Sequence, residues 1–61
     1  MMGAPHPFIL IQDQDGRRHA LRRQAVTAMV EDPIGTTTLL LGGGRVLVLD
    51  QDLETALALL S

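Results

Sequence analysis

Two unbroken apolar runs stand out along the chain, Leu39-Leu40-Leu41 and Val46-Leu47-Val48-Leu49, separated by Gly42-Gly43-Gly44-Arg45. Residues 36–41 (TTTLLL) read as a strand, β-branched and then apolar, and the triple glycine turns the chain back into a second strand over residues 45–49. Asp50 and Asp52 follow, each suited to cap a helix and to place negative charge at the positive end of its dipole. Leu53, Ala56, Leu57 and Leu60 then recur at i, i+3, i+4 and i+7, which predicts a helix presenting all four to the core. Residues 36–60 are thus a hairpin feeding a helix, and the upstream chain is expected to pack on them.

Upstream, residues 1–7 (MMGAPHP) carry two prolines around His6 and read as an extended lead-in. Residues 8–12 (FILIQ) form a strand that ends at Asp13-Gln14-Asp15-Gly16, where Asp-Gly marks a hairpin turn, and the chain returns through residues 17–21. Residues 22–32 (RRQAVTAMVED) support two readings. Leu21, Ala25, Ala28 and Met29 fit one helical face, whereas Val26, Ala28 and Val30 alternate with Thr27, Met29 and Glu31 as in a strand. A tight turn at residues 22–24 and a strand over 25–31 make better use of the Asp-Gly hairpin; the helical reading gives a β-α-β-β-α order. Asp32-Pro33-Ile34-Gly35 is turn chemistry. The expected fold is α+β, mostly β: an antiparallel meander of about five short strands with a C-terminal helix, in one domain over residues 8–61.

Length turns this pattern into an expectation of self-association. A chain of 61 residues buries only about 60% of the surface its unfolded form exposes, so small domains draw on disulfides, metals or partner subunits. Cysteine is absent, and the two histidines, His6 and His19, lie in different segments, so neither a metal nor another cofactor is expected. Neither apolar run alternates, so both faces of each strand call for cover while one helix covers one face. Each large apolar side chain left wet forgoes about 1.5–3 kcal/mol. An obligate homodimer or higher oligomer is expected, its interface drawn from Leu39, Leu40, Leu41, Val46, Leu47, Val48 and Leu59.

Charge supplies one further candidate. The formal net charge is −2 and every basic residue is an arginine: Arg17, Arg18, Arg22, Arg23 and Arg45. Four of these five fall within seven positions; on a strand, Arg17, His19 and Arg23 share one face and Arg18 and Arg22 the other. The guanidinium fork suits phosphate and carboxylate, so nucleic acid or an acidic protein surface is the alternative partner; a solvated edge strand that discourages aggregation uses the same residues. Phe8 is the sole aromatic residue, too few for a base-stacking platform. No apolar run approaches the roughly 20 residues of a membrane span, and no charged region precedes a long apolar core, so no membrane partner and a cytoplasmic protein are expected.

Other constellations fail on spacing. With Gly16 at the sixth position of a calcium loop, positions one and twelve would be Ile11 and Arg22. Gly42-Gly43-Gly44-Arg45 lacks the Gly-Lys-Ser/Thr of a phosphate loop and leads into a strand. Glu31, Asp32, Asp50, Asp52 and Glu54 stand at element ends, as caps do, and Ser61 and the threonines have no base beside them in sequence. A non-enzyme is expected.

The chain runs through Ile9 to Leu21 around Gly16, Val26-x-x-Met29-x-Glu31, the Thr-rich strand to Leu41, Gly44, and Val46 to Leu49 leading into Asp52-Leu53-Glu54. In this order it resembles the small flagellar-operon FlbD-type proteins, and its last part resembles the end of LytTR-type DNA-binding domains. It departs where Arg22-Arg23-Gln24 replaces an Asn-containing turn, and where three glycines replace Asn-Gly or Asp-Gly. The resemblance implies a bacterial protein without catalytic residues. The reading is a small non-enzymatic oligomeric interaction or scaffold module; the alternative is a regulatory nucleic-acid binder using Arg17, Arg18, Arg22 and Arg23.

Overall fold

An Asp-x-x-Gly sequence occurs twice, at residues 13–16 and again nineteen positions later at 32–35, and both copies fold into the same turn. In each, the glycine N–H donates to the aspartate carbonyl at 3.0 Å, and the aspartate carboxylate accepts from the backbone N–H two and four residues on. Gly16 and Gly35 close the turns at φ of 86° and 92°, a region that penalises any Cβ. Asp-Gly and Asp-Pro look like different turn signals, yet the aspartate Oδ1 governs both.

These turns organise the computed structural model, which describes residues 7–61. Strands β1 (Phe8–Gln12) and β2 (Arg18–Arg22) pair antiparallel across the first turn. A 3₁₀ turn over Arg23–Ala25 leads to β3 (Val26–Glu31), which pairs with β4 (Thr37–Leu41) across the second. A glycine turn, Gly42–Gly44, with Gly43 and Gly44 at positive φ, leads to β5 (Val46–Leu49), antiparallel to β4, and helix α1 (Leu53–Leu60) follows. The expected strands and helix are present, with residues 26–31 as a strand, but the meander divides into a two-stranded sheet β1-β2 and a three-stranded sheet β3-β4-β5. The 3₁₀ turn at Arg23 is where it divides. His6 and the rest of residues 1–6 lie outside the described residues.

The core lies on one face of the three-stranded sheet. Leu39, Leu41, Leu47 and Leu49 point inward and meet Ile11 and Leu21 from the hairpin and Ala56 and Leu60 from the helix. One helix need not cover that face alone, because the β1-β2 hairpin shares the task. Among the described residues Thr37 is the one polar side chain buried with them; its Oγ1 donates to the Gln51 carbonyl at 2.8 Å and pins the link between β5 and α1. Satisfying that hydroxyl internally matters, because Thr37 is fully buried and a buried polar group without a partner costs about 1–3 kcal/mol.

Helix α1 is held at both ends. Asp52 is the N-cap, accepting from Thr55 N–H at 2.9 Å, and Glu31 on β3 accepts from Leu53 N–H at 3.3 Å. At the other end the Arg23 guanidinium N–H donates to the Leu60 carbonyl, a cation at the negative end of the dipole. Ala56 and Leu60 are buried as the spacing predicts, but Leu57 is 53% exposed. A helix of eight residues resting on a narrow layer has room for a stripe narrower than the four-residue one expected.

Candidate interaction surfaces

Register decides which side chains share a surface. In the three-stranded sheet, Val30, Thr38 and Val48 lie in one cross-strand row and Ala28, Leu40 and Val46 in the next. All six are on the face opposite the core. Val30 is 54% and Val46 60% exposed, Ala28 is exposed, and Thr38, Leu40 and Val48 are partly covered by their own neighbours. No member of either row is charged, so the outer face is a continuous apolar surface broken by one hydroxyl.

The residues expected at an interface therefore part company. Leu40, Val46 and Val48 belong to this outer face. Leu39, Leu41 and Leu47 point the other way and are buried within the chain, Leu39 completely. Leu59 is on the helix, which packs against the inner face, so it shares no surface with Val46. Ala28, Val30 and Thr38 complete the outer face and are not apparent from the apolar runs. What brings the first two there is a bulge: the register shifts between Val26 and Ala28, and Thr27 is the extra residue, its Oγ1 donating to the Leu40 carbonyl at 3.0 Å.

The two edges of this sheet differ. On β5 the Val48 carbonyl accepts from Gln14 N–H at 2.9 Å, so the first hairpin's turn is bonded to that edge. On the far side, β3 has no strand beyond it among the described residues. A groove of about 610 Å³ runs between β3 and α1, lined by Val26, Ala28, Met29, Leu53 and Leu57, with Arg23 at its end.

The arginines of the sequence cluster do not form one surface. Arg18 and Arg22 share the outward face of β2, where they oppose Gln12 and Phe8. Arg17 precedes the strand, its backbone N–H bound by Asp13, and Arg23 leaves the strand to cap the helix. His19 lies on the inward face beside Ile11, and its Nε2–H donates to Asp13 Oδ2 at 2.8 Å. That hydrogen bond, with those from the backbone N–H groups of Arg17 and Asp15, holds the Asp13 carboxyl below the ordinary range against partial desolvation. The Thr36 hydroxyl and backbone do the same for Asp32, and Thr55 does so for Asp52. These carboxylates are spent on turns and caps. Among the described residues, no three His, Asp or Glu side chains gather as a metal site would require.

Arg45 was not part of the sequence cluster, yet it faces Arg18 and Arg22 across a concavity of about 470 Å³ along the free edge of β2. No local signal announces this; only the fold, which brings Gly42 and Arg45 to the same hollow as β2, does so. Among the described residues, no helix is long and apolar enough to cross a membrane. No family model matches the chain, and no curated protein or solved structure matches it.

Proposed function

We propose that the protein is a small non-enzymatic interaction module that associates with copies of itself through the outer face of the β3-β4-β5 sheet. The observation that supports this is the pair of uncharged rows, Ala28-Leu40-Val46 and Val30-Thr38-Val48. A face without charge offers nothing to select a charged foreign partner, whereas two such sheets stack about 10 Å apart with their side chains interdigitated. A chain this short also gains from doubling its core. The hydrogen bonds that occupy Asp13, Asp32, Asp52 and Glu31 favour a structural use of the acids. The resemblance to FlbD-type proteins, which offers no catalytic residues, points the same way.

Magnitude sets the strength. Three strands about 4.8 Å apart and four residues of about 3.4 Å each make a face roughly 14 Å square, well short of the ~800 Å² per partner of a standard interface. Leu39, Leu41 and Leu47, counted by sequence towards an interface, are covered inside the chain. The association is therefore reversible, micromolar or weaker, and not a condition of folding. Mass by sedimentation from micromolar to millimolar concentration should rise towards the dimer, and rise sooner in sulfate, which strengthens apolar burial. A constant monomer mass throughout would refute it.

A further inference from the structure

Arg18 and Arg22 on β2 and Arg45 after the triple-glycine turn border one concavity, together with Phe8, His19 and Gly42. None of the chain's seven carboxylates lines it, although the formal net charge is −2. Among the described residues these three guanidiniums form no ion pair. Asp13 and Asp15 lie in the adjoining hollow, which Arg45 and His19 also border, and Asp13 is already engaged with His19. Three unneutralised cations around one hollow repel each other, so an anion that enters relieves that repulsion as well as gaining hydrogen bonds. The Arg22 guanidinium is held in place, its Cζ 5.5 Å from the centroid of the Phe8 ring.

We infer that this concavity binds linked phosphates. The choice of phosphate over carboxylate rests on charge and spacing. A phosphoryl group offers more charge and more acceptor oxygens than a carboxylate, and the guanidinium fork pairs with it bidentately. Arg18 and Arg22 are four residues apart on one strand, about 13 Å between Cα atoms, which suits a run of phosphates better than a single one. The phosphodiester backbone of nucleic acid and a free polyphosphate share this chemistry. The site shares no residue with the outer sheet face, so it stands or falls apart from self-association.

The test uses a fluorescently labelled single-stranded DNA oligonucleotide, with inorganic pyrophosphate and a glutamate-rich peptide as the other probes. Three neutralised phosphates give a slope of log affinity against log salt of about −2, so binding weakens roughly twentyfold between about 50 and 200 mM salt. Arg45→Ala should lower affinity and reduce the slope by about 0.7, while Arg17→Ala, within the sequence cluster but outside the concavity, should leave both unchanged. Both residues are exposed, so circular dichroism should show both variants folded. Pyrophosphate that competes with the oligonucleotide assigns the concavity to free polyphosphate as well; failure to compete assigns it to the polymer backbone. The inference is overturned if the oligonucleotide does not bind at low salt, if Arg17→Ala and Arg45→Ala weaken it equally, or if the glutamate-rich peptide binds as tightly.

Discussion

The two faces of the β3-β4-β5 sheet have nearly the same composition and different duties. Leu47 and Val46 are neighbours on β5; the first is 5% exposed and the second 60%. Leu39 and Leu40 make the same contrast on β4, where Leu39 is sealed against the hairpin and helix and Leu40 opposes Ala28 and Val46 outside. The inner face is covered by Ile11 and Leu21 from the first hairpin and by Ala56 and Leu60 from the helix that follows β5. Hydrophobicity alone therefore does not make a core. A face becomes core when another element of the chain has an apolar stripe to lay on it, and this chain has enough such stripes for one face.

The contrast can be broken most forcefully from the inside. Leu47→Asp places an unpaired carboxylate in the core beside Leu39 and Leu49, and should abolish the fold at neutral pH. A sharp thermal transition retained in its circular dichroism would show that the inner face is not the structural one. Thr37→Val is a smaller probe of the same face. It keeps the shape but removes the hydroxyl that donates to the Gln51 carbonyl, and should cost about 1 kcal/mol in urea unfolding.

Acid tests the turns and the helix cap, which position both faces. Asp13, Asp32 and Asp52 have folded-state values below the ordinary carboxylate value of about 3.9. A depressed value means stability that is fully present above the unfolded value and lost as pH falls through the folded one. Thermal stability should therefore stay level from neutral pH to about 5 and decline below about 4. A stability that rises as pH falls below 4 would contradict this assignment.

Much of the fold was legible in the sequence because it is local. The apolar runs, the Asp-Gly and Asp-Pro turns and the Asp52 cap each act within a few residues, and they account for the strands and the helix. What depended on distant contacts was not legible. The split into two sheets falls at the turn over Arg23–Ala25, where Arg23 bonds to Leu60 at the other end of the domain. The apolar runs gave no sign of which of two equally apolar faces is covered, since Leu39 and Leu40 are the same residue in adjacent positions. Ala28 and Val30 joined the outer face only through the bulge at Thr27. The arginine cluster, a fact of sequence proximity, dispersed into turn, strand and helix cap, and Arg45 joined two of its members from 23 residues beyond Arg22.

The most direct measurement compares sedimentation of the unaltered protein with that of Val46→Asp, up to millimolar concentration. Val46 is exposed, so the carboxylate meets water in the monomer and the thermal transition should shift little. In an associated pair the same carboxylate would be buried against an apolar sheet, and assembly should fail. The account predicts a mass that grows with concentration for the unaltered protein and a folded monomer at every concentration for Val46→Asp. Equal association of the two, or an unaltered protein that never exceeds monomer mass, would contradict it.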